Sequence, residues 1–352
     1  MALNHRKFVA LGIIVTVLVA VVAIAIDVRG QHQLTQQSEN LRGCVQLDNA
    51  YNCLQQRARV LFSRLGADAT LARVAQDVSD SDQMQSFCHG LTHEIGHLAW
   101  NQAHDIARAF ASGKDHATTC SDGFYHGVME SAIEAFPRDQ ISQWLPGVCA
   151  SFAQRPMSFN HYNCVHGLGH GLLALFADQW QPALDGCAVL ATPWEQQSCA
   201  SGVFMQNIVN EIQAVGHKPD FRNDDIQYPC SVTAEQWKAS CYLIHASHIL
   251  NVYGGDFTKT FAACEQVPTA YRPTCYQSVG RDVSGRNRGR DGEVIRLCQL
   301  AGTGAQDCVV GAARDYVYHD HSRRLADRLC AAVPHEFQSA CMNAVDSDAN
   351  TL

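Results

Sequence analysis

Three short segments of this chain set imidazole and carboxylate groups four residues apart: Cys88-His-Gly-Leu-Thr-His-Glu-Ile-Gly-His97, Cys120-Ser-Asp-Gly-Phe-Tyr-His-Gly-Val-Met-Glu130 and Cys164-Val-His-Gly-Leu-Gly-His-Gly171. Aligned on Gly90, Gly123 and Gly167, they put His93, His126 and His170 in one column. His97 and Glu130 follow four residues later, and His89, Asp122 and His166 stand four residues earlier. A spacing of four keeps side chains on one helix face, one turn apart, so each segment presents a ladder of nitrogen and oxygen donors. Imidazole and carboxylate together suit zinc, iron, copper or manganese. Eight donors exceed what one tetrahedral ion needs, which leaves room for a dinuclear site. A lone histidine usually caps a helix or lines a polar groove. Here the groups recur in phase in three neighbouring segments and then give way to Met205 and Val209 after Gly202, and to Arg314 and Tyr318 after Gly311. That local enrichment points to function.

Within the first segment, His93-Glu94-Ile95-Gly96-His97 matches H-E-x-x-H, in which two helical histidines bind zinc and the glutamate acts as general base. The stretch resembles the zincin peptidases and their metzincin core. The resemblance implies zinc on His93 and His97 with Glu94 as base. It covers five of 352 residues, and the downstream metzincin Gly and His positions hold Trp100 and Ala103. A zincin with a glutamate ligand would use Glu130 or Glu134. Zincins also bind substrate along a sheet edge, and no strand pattern is visible here. The main expectation is therefore a broader metalloenzyme, with His93, His97, His126, Glu130 and His170 on the metal. His89, Asp122 and His166 serve as further ligands or as orienting groups, and Glu94 or Glu130 as general base toward a metal-bound water. Iron or copper would bring oxidative chemistry, and zinc hydrolysis. One alternative is a non-catalytic scaffold in which the histidines store metal or sense pH, and the repeats from about Cys187 onward offer a concave face to a protein partner. The zinc peptidase is the other.

Helices must hold these ladders, and the cysteines indicate how. Sixteen cysteines are present, with no C-x-x-C motif. Most fall into short pairs: Cys44/Cys53, Cys149/Cys164, Cys187/Cys199, Cys230/Cys241, Cys264/Cys275, Cys298/Cys308 and Cys330/Cys341. The gaps often carry turn formers such as Pro193, Pro268, Pro273, Gly302, Gly304 and Pro334, with short amphipathic stretches on either side. Helix, turn, helix is the plainest reading. Cys88 and Cys120 match second cysteines without a first, and are left to pair with each other across adjacent units. Second cysteines at 53, 88, 120, 164, 199, 241, 275, 308 and 341 define nine units averaging 36 residues. Cys-paired repeats of this size resemble the tetratricopeptide-related class of α/α repeats, which implies a solenoid whose units bury their faces against neighbours. The expected fold is all-α, stapled by disulfides each stabilising by about 2–4 kcal/mol.

The N-terminus reads as an export signal. Arg6 and Lys7 form a cytoplasmic stub, residues 1–7, ahead of an uncharged 19-residue apolar run at 8–26. A helix of that length just crosses a hydrocarbon core of roughly 30 Å, and the flanking positive charges put the bulk of the chain on the periplasmic or extracellular side. Ala23 and Ala25 also fit a cleaved signal. A linker at 27–43 leads to the repeat ectodomain at 44–352, with the candidate metal repeats at 88–174. An oxidising compartment suits the cysteine count. The net charge of -8 argues against a nucleic-acid partner. Arg281, Arg286, Arg288 and Arg290 read as a solvated loop. The pair His245 and His248, and His319 and His321 beside Asp320, read as solvated or capping groups.

Overall fold

The computed structural model describes residues 40–155, 157–213, 218–320 and 322–349. Fifteen α-helices and no strand occur among them. After α1 (Ala50–Ser79), long helices and short ones alternate: α2 (Asp82–Ala103), α3 (Ile106–Ser112), α4 (Gly123–Glu134), α5 (Ile141–Val148), α6 (Phe159–Leu175), α7 (Trp180–Cys187) and α8 (Pro193–Gln213). Residues 218–234 hold no helix and lead to α9 (Glu235–Val252), α10 (Phe257–Cys264), α11 (Arg272–Arg286), α12 (Asp291–Gln299), α13 (Ala305–Asp320), α14 (Arg324–Ala332) and α15 (His335–Ala349).

Local chemistry sets the ends of these elements. Thr192 and Glu195 form a reciprocal capping box at α8, each side chain accepting from the other's backbone N–H at 3.2 and 2.9 Å, with Pro193 at the first helical position. Asp105, Ser158 and Asp256 cap α3, α6 and α10 through their side chains.

The long helices α2, α4, α6, α8, α9, α11, α13 and α15 pack on one another in chain order, and the short helices lie behind them. Close approach is encoded by reciprocal glycines. A Cβ at Gly127 would strike the His93 carbonyl, and one at Gly96 the Phe124 carbonyl. Gly169 and Gly202 relate α6 to α8 in the same way, and Gly280 and Gly311 relate α11 to α13. With no Cβ between them, the paired backbones touch and the side chains beyond are pressed into one layer. Leu91, Ile95, Phe124, Leu168, Leu172, Val203, Val279, Val309 and Tyr316 fill the core, each 1% exposed or less. The row also curls. Tyr318 of α13 meets Tyr162 and Phe159 of α6, with ring centroids 4.8 and 5.9 Å apart.

Eight disulfides form as the spacing predicts, with Cα separations of 5.4–5.8 Å. Seven close short loops within a unit, and Cys88–Cys120 ties α2 to the turn that enters α4. That turn departs from the helix expected there. Cys120, Ser121 and Asp122 all have left-handed φ, 59°, 60° and 65°, and α4 begins only at Gly123. Leu41 and Cys44 are buried in a short 3-10 helix, so packed structure begins just inside the expected linker. No helix among the described residues is long and apolar enough to cross a membrane. The apolar run at 8–26 lies outside the described residues.

Candidate metal centre

The histidine ladders stand on α2, α4 and α6, three consecutive members of the row. The Gly96/Gly127 contact draws α4 onto α2, and Gly167 and Gly171 of α6 seat against Met129 and Ile133 of α4. Six side chains are thereby gathered: His89 and His93 from α2, His126 and Glu130 from α4, His166 and His170 from α6. Within this set His89, His93 and His126 have ligand atoms within 4.8 Å of one another, as do His126, His166 and His170, and His93, Glu130 and His170. Four of the histidines are almost fully buried, at 3% (His93 and His126), 1% (His166) and 0% (His170) exposed.

Hydrogen bonds fix the tautomers. His89 Nδ1 donates to the Cys120 carbonyl at 2.8 Å. His93 Nδ1 donates to Glu130 Oε1 at 2.9 Å. His166 Nδ1 lies 2.9 Å from Ser201 Oγ, whose own proton goes to the Ser198 carbonyl at 2.7 Å, and 3.2 Å from the Tyr162 hydroxyl. His170 Nδ1 donates to Gln206 Oε1 at 2.5 Å. The Gln206 amide in turn donates to Asn210 at 3.0 Å, which orients it. In His89, His93 and His170 the partner can only accept, so the proton sits on Nδ1 and Nε2 carries a lone pair; in His166 the same tautomer has the Ser201 and Tyr162 oxygens as acceptors. The bare nitrogens face one another: His89 Nε2 to His93 Nε2 at 3.0 Å, and His166 Nε2 to His170 Nε2 at 3.2 Å. Two lone pairs at that distance repel unless a cation stands between them. Nδ1–H held by an oxygen, with Nε2 bare, is how metal-ligating histidines are positioned.

Electrostatics agree. Burial holds His89, His126 and His166 well below the usual histidine pKa, and neighbouring imidazoles push in the same direction. Burial lowers His93 too, against the partial offset of Glu130. Protons are thus disfavoured where the lone pairs converge. Burial alone would raise Glu130, but His93, His170 and His97 outweigh it and keep the carboxyl well below its ordinary range.

Comparison with protein-family models, with curated proteins and with solved structures gives no match, so the centre is read from its own atoms.

Three of the expected site residues stand apart from the cluster. His97 belongs to none of the three groups. Its side chain is 35% exposed, and Nε2 donates to Glu130 Oε2 at 2.7 Å. Burial disfavours its charged form, but Glu130, Glu94 and Glu134 together hold its pKa above the usual value. Glu94 faces α1, accepting from Arg59 at 2.6 Å and Gln55 at 3.1 Å. The two histidines of the H-E-x-x-H stretch therefore share a carboxylate, and its glutamate is held in an ion pair. Asp122, buried at the N-terminal cap of α4, precedes the helix in a left-handed conformation and belongs to none of the three groups.

The sequence reading overlooked Ser201 and Gln206 of α8 and Tyr162 of α6, which stacks on His166 (centroids 5.1 Å, 18°) with its hydroxyl 3.2 Å from Nδ1. Ser201 does have a signal, because it precedes Gly202 as His89, Asp122 and His166 precede Gly90, Gly123 and Gly167. Other expectations need revision. His245 and His248 are buried rather than solvated, at 3% exposed each. His319 pairs with Asp315 at 2.9 Å, and His321 lies outside the described residues. Arg281 and Arg286 belong to α11, and Arg281 donates to the Leu243 carbonyl at 3.0 Å rather than lying in a loop.

Proposed function

We propose that the chain is an exported, membrane-tethered metalloenzyme whose α2–α4–α6 histidine cluster binds a first-row transition metal. The observation carrying this reading is the two close Nε2–Nε2 contacts, each imidazole held from behind by an oxygen. A donor set dominated by imidazole favours zinc, copper or iron over magnesium or calcium, which prefer oxygen. When bound, such an ion supplies either a Lewis acid with an activated water or a redox centre.

The chain's own groups have separable roles in this reading. His89, His93, His126, His166 and His170 are the ligands. Glu130 orients His93 and, through His97, gives the buried cluster a hydrogen-bonded route to the surface. Glu94, neutralised by Arg59, is a poor general base, which weighs against the peptidase alternative. Tyr318 closes the later repeats onto α6, so those repeats wall the site. Tethering and export rest on the apolar run at 8–26 and on the complete pairing of the sixteen cysteines.

The test is metal analysis by mass spectrometry of the full chain, extracted in detergent and purified without a His-tag or metal column. Stoichiometric zinc, copper or iron is expected. A protein that holds no metal after supplementation with each of the three would overturn the proposal.

A further inference from the structure

We infer that the centre is built for two metal ions, one on each facing imidazole pair, with His126 between them in reach of both. This rests on the metal-binding reading above and deepens it.

Imidazole nitrogen binds these metals at about 2.0–2.1 Å, so two nitrogens on one tetrahedral ion lie about 3.4 Å apart, and even opposite ligands are no more than about 4.2 Å apart. The His89–His93 and His166–His170 nitrogens, 3.0 and 3.2 Å apart, each suit a single ion. Such an ion would see either pair at an angle of about 90–100°. Yet no group of ligand atoms within 4.8 Å contains both pairs. One ion therefore cannot hold all four nitrogens where they stand.

The two pairs are also equivalent in construction. Each is an i, i+4 pair on one helix, one on α2 and the other on α6, flanking α4. Each histidine has its own oxygen partner at Nδ1, respectively Cys120 O, Glu130, Ser201 and Gln206. His126, on the helix between them, completes both triads. Its ring centroid is 5.3 and 5.4 Å from His89 and His93, and 4.9 and 4.3 Å from His166 and His170. Its Nδ1 is buried with no hydrogen-bond partner, so nothing holds a proton there. The third group, His93, Glu130 and His170, is of another kind. There Glu130 Oε1 faces nitrogens that already carry protons, at 2.9 and 3.6 Å. Glu130 thus braces His93 from behind and stands beside the His170 Nδ1 that Gln206 holds.

Titration of the metal-stripped full chain in detergent with cobalt(II), read by its visible ligand-field bands and by bound metal, tests the inference. The wild type should bind two equivalents. His89→Ala/His93→Ala should keep one, as should His166→Ala/His170→Ala, each losing a different part of the spectrum. His126→Ala should weaken both equivalents by at least about 10-fold. Circular dichroism checks folding, and His→Gln versions of each pair replace any alanine variant that fails it. A single equivalent in the wild type, abolished by either pair variant, would overturn the two-ion centre and leave the metal reading standing. No binding of cobalt, zinc, copper or iron would instead sink the metal reading itself.

Discussion

The helices α4 and α6 pack into the row much as α11 and α13 do, through glycines and with polar side chains turned inward, but the buried groups of the two regions meet different neighbours. In the later repeats the buried acids and several imidazoles meet complements, although His319 Nδ1, Gln227 Oε1 and Thr233 Oγ1 are buried without a hydrogen-bond partner. Asp315 accepts from Ser284 at 2.7 Å and from His319 at 2.9 Å. His248 donates to Glu211 at 2.9 Å, and His245 to the Ile226 carbonyl at 2.8 Å. Ser247 donates to Asp282 at 3.0 Å. In α2, α4 and α6, like faces like, lone pair against lone pair. Burial of titratable groups is thus no sign of function by itself, since the later repeats show it as ordinary internal polarity. The mismatch is the sign, because a fold tolerates it only where something supplies the missing charge.

The sharpest way to break this comparison is to remove one imidazole from each region. His170→Ala should lower metal affinity by on the order of 100-fold, since a ligand and its geometry are lost together. His248→Ala should leave metal content unchanged and cost about 1–3 kcal/mol of stability by stranding Glu211. Metal analysis and denaturant unfolding read the two effects. Equal metal loss in both variants would erase the distinction.

A smaller effect tests whether the shared architecture serves different ends. Gly127→Ala and Gly311→Ala each drive a methyl into a facing carbonyl, and each should destabilise by about 1–3 kcal/mol. Both should lower the unfolding midpoint, but only Gly127→Ala should release metal, because only there does the displaced helix carry ligands.

The smallest effect concerns pH. Asp315 lies below the ordinary carboxyl pKa, since its partners His319, Arg281 and Ser284 outweigh the burial that would raise it. His319 lies above the ordinary histidine value, since Asp315 outweighs burial there. Asp315 adds stability above its unfolded pKa, and loses it as pH falls through its depressed native value. His319 adds stability below its unfolded pKa, and loses it as pH rises through its raised native value. The pair therefore contributes fully between about pH 4 and pH 6.5. Asp315→Asn should cost about 1–2 kcal/mol in that window, with the deficit shrinking above it. A deficit that does not vary with pH would mean that the two are not an ion pair.

The disulfide framework and the convergence of three histidine helices were legible because both follow from spacing: cysteines recur with the unit, and a step of four keeps to one helix face. What spacing could not carry was lost. Steps of four drift about 40° on a helix with 3.6 residues per turn, so by His97, two steps from His89, the ladder has rotated out toward solvent. Asp122 kept the phase in sequence but not in space, because a left-handed turn stands where a helix was assumed. Gln206 looked like an ordinary polar residue and became meaningful only against His170. Contacts such as Tyr318 with Tyr162 depend on the curl of the whole row, which no local pattern encodes. The partner of His248 lies 37 residues away, so its burial was equally hidden.

Each of the eight disulfides joins two cysteines that are neighbours in sequence, with no other cysteine between them. Under the export proposed above, a chain entering an oxidising compartment N-terminus first would present each thiol's native partner before any competitor that follows. A simple thiol oxidant can then close the bonds one after another as residues appear, and the slow reshuffling that nested pairings require is bypassed. In that order the bond next to His89 would be the second to close, bracing the first imidazole pair on one side before α6 is made.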